Sequence, residues 1–367
     1  MLNMIDWHFP RNELAQQYMN AFDTGITGAL ALFAPRRMGK TEFVLLDLAP
    51  EAESRGYQVG YCSLWNLQDN PAKALRIALE GISKKGDWLD KWSSYIGVAS
   101  ELSASIAGAS VRLKTSSQDT QVEEDDLLAI IDLLGKLASH KKPTLLLLDE
   151  VQHLANENYA PLVATLRTQF DQHRKKLHVV YTGSSRDGLQ RMFRDRKAPM
   201  FHAAQQVDFP KLESDFVAFM LNAVQQASQQ KLALGKATRI FSKMNHNPAL
   251  FHHLLRHMVI KGIWDIEKGY ENFKELVDVD ADFSALWDQC KPSDCAVLRL
   301  LVQSSEMGIY SDEARSFIGE EIGTEQVSVK VIQNAIERLR LSQVLYSPAR
   351  GVWEFEDPGF KEWILSH

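Results

Sequence analysis

Two short stretches of the sequence carry residue types that bind phosphate and a divalent metal ion. Residues 34–41 read APRRMGKT, with a lysine and a threonine directly after a glycine. Residues 142–150 read KPTLLLLDE and end in two adjacent carboxylates. An ammonium group and backbone N–H groups attract phosphate oxygens, and hydroxyl and carboxylate oxygens are ligands of Mg²⁺. The two stretches together predict a site for a nucleotide triphosphate and its metal ion.

The first stretch fits the phosphate-loop pattern GxxxxGK[ST], with Ala34 in the place of the first glycine. Alanine is small, so it can still make the turn. Gly39 lets the backbone approach phosphate closely, Lys40 would contact the β- and γ-phosphates, and Thr41 would place its hydroxyl on Mg²⁺. The predicted phosphate-binding residues are Ala34, Pro35, Arg36, Arg37, Met38, Gly39, Lys40, Thr41 and Glu42.

The carboxylates at the end of the second stretch have separate predicted roles. Asp149 ends an apolar strand and would hold Mg²⁺ together with Thr41. Glu150 would polarise the attacking water, so predicted hydrolysis rests on this residue. In the later segment YTGSS, Ser184 is the first candidate for a contact to the γ-phosphate, before Thr182 and Ser185. A hydroxyl-rich turn without such a role is the alternative. The predicted catalytic residues are Glu150, Lys40 and Ser184.

Strand and helix patterns alternate as far as residue 210. Short apolar runs predict strands over 28–33, 57–64, 142–150, 177–185 and 205–210. Helical spacing of apolar residues predicts helices over 40–56, 70–85, 122–140 and 160–176. Residues 96–121, rich in Ser, Ala and Gly, are either a hairpin or a mobile insertion. This alternation favours an α/β fold with a mostly parallel sheet covered on both faces.

Beyond residue 210 the strand pattern stops. Residues 211–284 read as several helices and predict an all-α lid. Helical patterns near 292–304, 311–318 and 328–341 then precede residues 343–358, which read as a β-hairpin. Three helices followed by a hairpin predict a winged helix-turn-helix. The predicted domains are an ATPase core over 1–210, the lid over 211–284 and the winged helix over 285–367.

Composition limits the classes of function. The 367 residues carry a formal net charge of −6, so the whole chain is not an electrostatic surface for nucleic acid or anionic lipid. Three cysteines without paired spacing favour a reducing, cytoplasmic compartment. We expect no signal peptide and no membrane partner, because no basic segment precedes an apolar run at the start of the sequence and the apolar runs are short.

The quoted motifs resemble those of the archaeal-type AAA+ ATPases, which are relatives of the origin-recognition initiators and the STAND signalling ATPases. The matching segments are FAPRRMGKTEFVLL, LLLLDEVQHL, YTGSSRDGLQRMF, NHNPALFHHLL and WEFEDPGFKEWI. The segment FPRNELAQQ, residues 9–17, resembles the short N-terminal box that lies near the adenine in this family. The resemblance implies a P-loop sheet with strand order 5-1-4-3-2, a helical lid, a C-terminal winged helix, and ATP with Mg²⁺ as the cofactors.

Two departures from the family pattern predict slow hydrolysis. Ala203 stands where an arginine that completes a neighbouring subunit's site is expected. Four arginines could substitute for it, namely Arg186, Arg191, Arg194 and Arg196. The lid segment NHNPAL lacks the sensor arginine of the initiators and carries the Asn247-Pro248 version instead. A slow nucleotide-dependent switch is therefore favoured over a fast motor, and a homo-oligomer is possible.

The partner of the predicted winged helix stays open between DNA and protein. Its third helix has apolar residues at 329, 332, 336 and 339, which is core spacing. The outward residues would be Lys330, Gln333, Asn334, Glu337, Arg338 and Arg340, with Arg350 on the hairpin. Residues 285–367 hold 8 Lys and Arg against 13 Asp and Glu, a net charge of −5. Because phosphate contacts dominate DNA affinity, this charge favours a protein effector, whereas the resemblance to the initiators favours DNA.

Overall fold

The computed structural model describes residues 7–64, 70–83, 124–183, 192–193, 198, 200–276, 279–303, 308–342, 344–349 and 351–366. Strands and helices alternate in the first part of this chain. The strands are β1 (Ala29–Phe33), β2 (Gln58–Ser63), β3 (Thr144–Asp149), β4 (Leu177–Gly183) and β5 (Gln205–Asp208). The helices there are α1 (Asn12–Asp23), α2 (Lys40–Phe43), α3 (Ala49–Ser54), α4 (Pro71–Ser83), α5 (Glu124–Ser139) and α6 (Ala160–Gln172). Short 3-10 turns over Val151–Ala155 and Glu157–Tyr159 follow β3.

The five strands form one parallel sheet in the order β2-β3-β4-β1-β5. This order confirms the predicted 5-1-4-3-2 arrangement. Strands β1, β3 and β4 are buried along their whole length. A strand that is covered on both faces needs apolar side chains on both, which explains why these strands read as continuous apolar runs.

The two faces of the sheet pack into separate hydrophobic clusters. Leu145 and Leu147 of β3 point to the face that packs with Phe43 of α2. Since side chains alternate along a strand, the same face receives Asp149 at the end of β3 and Thr182 near the end of β4. Side chains from the carboxyl ends of β3 and β4 are thereby brought to the start of α2.

The remaining chain is mainly helical and packs into two further clusters. The first contains α7 (Ser214–Ser228), α8 (Leu234–Lys243), α9 (Pro248–Lys261) and α10 (Ile266–Leu276). The second contains α11 (Val279–Asp288), α12 (Pro292–Gln303), α13 (Asp312–Glu321), α14 (Val329–Leu341), the strands β6 (Leu345–Ala349) and β7 (Val352–Phe355), and α15 (Pro358–Ser366). Strands β6 and β7 pair as an antiparallel hairpin.

The structure differs from the sequence pattern in three places. The helix predicted over 40–56 is interrupted by a π-helical segment, Val44–Leu48, whose wider turn carries the buried residue Asp47. Val329, the first residue of α14, was predicted to lie in the core but is 38% exposed. Helices α1 and α15 had not been predicted. The predicted hairpin or insertion over 96–121 lies outside the described residues.

In the part of the chain that the structure describes, we find no helix that is both long and apolar enough to span a bilayer.

Candidate nucleotide-binding site

The turn between β1 and α2 has a backbone conformation that selects glycine. Gly39 caps α2 with φ 81°, in the left-handed region that glycine adopts without steric cost. A Cβ atom at this position would meet nothing within 4 Å, so backbone conformation rather than space selects glycine. Arg37 also has a positive φ of 65°, and its side chain and that of Arg36 are exposed. The six residues from 34 to 39 thus form a tight loop that leads directly into the helical run.

Lys40 is held inside this loop. Its Nζ donates to the carbonyl oxygens of Ala34 at 2.7 Å and Pro35 at 2.8 Å. Burial lowers the pKa of its ammonium group to about 8, although the nearby carboxylates of Glu150 and Asp149 oppose this shift. A buried cation whose hydrogen bonds go to neutral carbonyls gains strongly from an anion placed beside it. The loop is therefore suited to phosphate oxygens.

Four hydrogen-bond donors converge on the carboxylate of Asp149, which is 3% exposed. Its Oδ2 accepts from the hydroxyls of Thr41 at 2.7 Å and Tyr61 at 2.9 Å. Its Oδ1 accepts from the hydroxyl of Thr182 and from the backbone N–H of Glu150. A carboxylate has about four acceptor positions, so this buried charge is fully hydrogen-bonded and fixed in orientation.

The pairing of Thr41 with Asp149 fits a Mg²⁺ ion. The start of α2 and the end of β3 bring the hydroxyl and the carboxylate oxygen within 2.7 Å of each other. Mg²⁺ prefers such hard oxygen ligands, and it is usually held by one or two protein side chains together with substrate phosphates and water. The two residues predicted as metal ligands are thus adjacent to each other and to the phosphate loop.

Glu150 lies in a left-handed conformation, with φ 58° and ψ 42°. The side-chain amide of Gln152 donates to its Oε2. The two adjacent carboxylates therefore differ in environment. That of Glu150 is half-buried, whereas that of Asp149 is buried and accepts four hydrogen bonds. Thr182, an alternative candidate for a γ-phosphate contact, instead donates to Asp149. The first candidate, Ser184, lies outside the described residues, as does Ser185.

An N-terminal clamp, residues 7–9, joins the phosphate-loop helix to the helical part of the chain. The Nδ1 of His8 lies 2.8 Å from Glu42 Oε1, and its Nε2 lies 2.9 Å from Asp47 Oδ1. Burial by itself would lower the pKa of His8, but hydrogen bonds to Asp47 and Glu42 raise it to about 9. His8 is consequently a cation between two carboxylates of the same helical run at neutral pH. The carboxylate of Glu42, predicted to lie in the phosphate site, is bound by His8.

The residues on either side of His8 contact the lid helices. The ring of Trp7 packs edge-on against His252 of α9, with 5.5 Å between centroids. The ring of Phe9 packs edge-on against Phe216 and Phe219 of α7 at 5.7 and 5.4 Å. The sequence predicts a box near the adenine over residues 9–17, which includes Phe9, but it predicts none of these contacts of Trp7, His8 and Phe9. The close succession of two aromatic residues and a histidine before α1 was the available signal.

Helix α14 does not present its arginines as free cations. Arg338 forms a two-nitrogen ion pair with Asp294 of α12, and its Nη2 also donates to Ser293 at 3.0 Å. Arg340 donates to Glu337 on its own helix at 2.9 Å. Both arginines are half-buried, whereas Lys330 is exposed. The outward face of α14 is therefore less cationic than its sequence indicates.

The order of the parallel sheet and the loop between β1 and α2 define the fold of the AAA+ P-loop ATPases. No protein-family model matches the chain, and a search of curated proteins found no match. The structure is similar to a Walker-type ATPase of Pyrococcus abyssi, with a TM-score of 0.62 and 14% identity over 99% of this chain and 96% of that one. It is also similar to the ORC2 protein of Aeropyrum pernix in its ADP form, with a TM-score of 0.56 and 13% identity over 100% and 96% of the two chains. The predicted resemblance is thereby confirmed at the level of the fold.

Proposed function

We propose that this chain binds ATP with Mg²⁺ and hydrolyses it slowly. The observation that carries the proposal is the convergence of Lys40, Thr41 and Asp149 at one edge of the sheet, around a loop that the conformation of Gly39 shapes. The fold adds support, because one structural neighbour is a Walker-type ATPase and another is a protein solved in its ADP form. A nucleotide triphosphate is the ligand class that uses a phosphate loop and a metal carboxylate together.

The protein groups have distinct roles in this proposal. Lys40 and the loop N–H groups hold the β- and γ-phosphates, while Thr41 and Asp149 orient the metal. Mg²⁺, when bound, supplies charge neutralisation of the phosphates. Glu150 accepts a hydrogen bond from the attacking water and orients it. Its carboxylate is half-buried, whereas the acceptor positions of the adjacent Asp149 carboxylate are already filled by four hydrogen bonds.

Slow turnover follows from Ala203, which stands where the family pattern places an arginine. Ala203 packs against the hydrophobic cluster on the face of the sheet opposite α2, and it offers no charge to a γ-phosphate. An arginine that stabilises the transferred phosphoryl group raises turnover by about 10³–10⁵-fold. The candidates to replace it, Arg186, Arg191, Arg194 and Arg196, lie outside the described residues. We propose that fast hydrolysis waits for a cation from a second copy of the chain or from a partner.

A nucleotide-dependent switch is the form of action that the N-terminal clamp supports. His8 binds the helical run that starts at the phosphate loop, whereas Trp7 and Phe9 bind the lid. A change in the position of α2 on nucleotide binding is thus transmitted to the α-helical lid and, through it, to the predicted winged helix.

A protein effector is the partner that the C-terminal part favours over DNA. Arg338 and Arg340 of α14 are already paired with Asp294 and Glu337. Residues 285–367 carry a net charge of −5. Phosphate neutralisation supplies most non-specific DNA affinity, so this surface is poorly equipped for it. Association with DNA is the second candidate, because the sequence motifs resemble those of the origin-recognition initiators.

The binding function is tested by Lys40→Ala with a fluorescent ATP analogue. We expect the variant to lose measurable binding, since it lacks the buried cation of the loop. Lys136→Ala is the matched control, because that lysine is exposed and pairs with Asp132 at 2.6 Å on α5. Wild-type affinity in the Lys40 variant would overturn the proposed site.

The partner is tested by a salt titration of DNA binding with the ATP-bound protein. A protein-directed switch shows no measurable DNA binding even at low salt. A steep loss of DNA affinity between low and moderate salt would instead establish the DNA-associated function.

A further inference from the structure

Tyr61 of β2 contacts the carboxylate of Asp149, the proposed metal ligand at the end of the neighbouring strand β3. Its hydroxyl donates to Asp149 Oδ2 at 2.9 Å. In the parallel register Ser63 is level with Asp149, while Tyr61 is level with Leu147, two residues earlier. Residues two apart share a face of the sheet, so the long tyrosine side chain spans the diagonal to the carboxylate. A shorter side chain at position 61 would not reach it.

A second hydroxyl reaches the same carboxylate from the opposite side. Strand β3 lies between β2 and β4, and Thr182 of β4 donates to Asp149 Oδ1. Each flanking strand therefore places one hydroxyl on one oxygen, and rotation of the carboxylate would break both hydrogen bonds. The other two donors, Thr41 and the N–H of Glu150, belong to segments that the nucleotide itself uses. The two sheet hydroxyls are the donors that can stay in place when Thr41 turns its oxygen to the metal.

Packing alone does not account for the hydroxyl of Tyr61. Its ring packs against the hydrophobic cluster on the α2 face of the sheet, where a phenylalanine ring would fill the same space. In metal sites, hydrogen-bond partners in the outer shell fix the orientation of the side chains that coordinate the metal ion. A hydroxyl that orients a buried carboxylate can serve the same function.

Resting on the nucleotide-binding function proposed above, we propose that Tyr61 is a positioning residue whose hydroxyl holds Asp149 in the orientation that receives the Mg²⁺–nucleotide complex. Tyr61 acts through Asp149 and touches neither the nucleotide nor the metal. Its contribution therefore belongs to the metal-dependent part of nucleotide binding and not to the phosphate loop.

The test compares Tyr61→Phe with Tyr57→Phe. Tyr57 directly precedes β2 and packs into the same hydrophobic cluster as Tyr61, and its hydroxyl donates to Asp23 at 2.8 Å, so it is a matched control for loss of a tyrosine hydroxyl near this strand. Affinity for a fluorescent ATP analogue is measured in EDTA and across a Mg²⁺ titration. We expect the Mg²⁺ midpoint of Tyr61→Phe to rise about tenfold, which is the effect of losing an outer-shell partner. Its affinity in EDTA, and both values for Tyr57→Phe, should match the wild type.

Each remaining outcome counts against a defined claim. A wild-type Mg²⁺ midpoint in Tyr61→Phe would overturn the role of Tyr61. An equal loss of affinity with and without Mg²⁺ would also overturn it, because it would mean that the whole site is distorted. If the wild-type protein bound the analogue without any dependence on Mg²⁺, or did not bind it, the proposed function would fail before the variants were compared.

Discussion

The substitution His8→Gln isolates the charge that links the N-terminal clamp to the phosphate-loop helix. Glutamine keeps a side-chain donor at this position but cannot become a cation. Asp47, whose carboxylate side chain is 1% exposed, would then lose its cationic hydrogen-bond partner. Asp47 Oδ2 already has no hydrogen-bond partner among the residues that the structure describes, so the variant would leave a buried charge with little compensation.

The magnitude follows from the pKa of His8. Hydrogen bonds to Asp47 and Glu42 outweigh burial and raise it from 6.5 to about 9. One pKa unit corresponds to about 1.4 kcal/mol, so the protonated imidazole stabilises the fold by about 3 kcal/mol. Because the pKa is higher in the folded state, this stabilisation is complete below pH 6.5 and is lost as the pH rises through 9.

The assay is urea unfolding of the wild type and the variant between pH 6 and 9.5. We expect the difference in unfolding free energy to be largest at pH 6 and to shrink steadily toward pH 9.5. Substitution of the exposed His140 by glutamine is the control and should leave stability unchanged at every pH. A difference between wild type and His8→Gln that stays constant over this pH range would refute the assignment of a cationic His8.

Three further predictions address single side chains. Glu150→Gln should bind ATP with wild-type affinity but lower single-turnover phosphate release by at least about 100-fold, as expected for loss of a general base; normal release would mean that another group activates the water. Thr182→Val should lower the free energy of urea unfolding by about 1–3 kcal/mol, since a buried carboxylate loses a donor; unchanged stability would contradict that hydrogen bond. Asp294→Ala should lower the unfolding free energy of the C-terminal helices by about 1–2 kcal/mol, because it removes the partner of Arg338. Substitution of the exposed Asp312 by alanine is the control. Equal effects of the two substitutions would argue against a special role for the ion pair.

The phosphate loop could be predicted because its signal is local in the sequence, whereas the strand order was implied by the resemblance to the AAA+ ATPases. A glycine before Lys40 and Thr41, between an apolar strand and a helix, requires no knowledge of distant contacts. The apolar run ending in Asp149 likewise marks a buried strand with a charged end. The core spacing along α14 was correct at positions 332, 336 and 339 but wrong at Val329, since periodicity does not show whether a residue at the end of a helix is covered by its neighbours.

The contacts that complete the site could not be predicted in this way. Tyr61 precedes Asp149 by 88 positions, and Thr182 follows it by 33. Their contact depends on strand order, on register and on which face each side chain takes. The pairing of His8 with Asp47 depends in addition on the π-helical segment, which places that carboxylate toward the N-terminal clamp.

The amino-acid sequence by itself thus determined which groups are candidates for binding a triphosphate, because the loop and the carboxylate predicted to bind the metal ion are each contained in a few consecutive residues. Only the tertiary structure decided how those groups are held. It placed hydroxyls from two flanking strands on one carboxylate and a histidine between two others. Hydrogen bonds of this kind form between residues that are far apart along the chain, and their geometry exists only once the sheet has assembled.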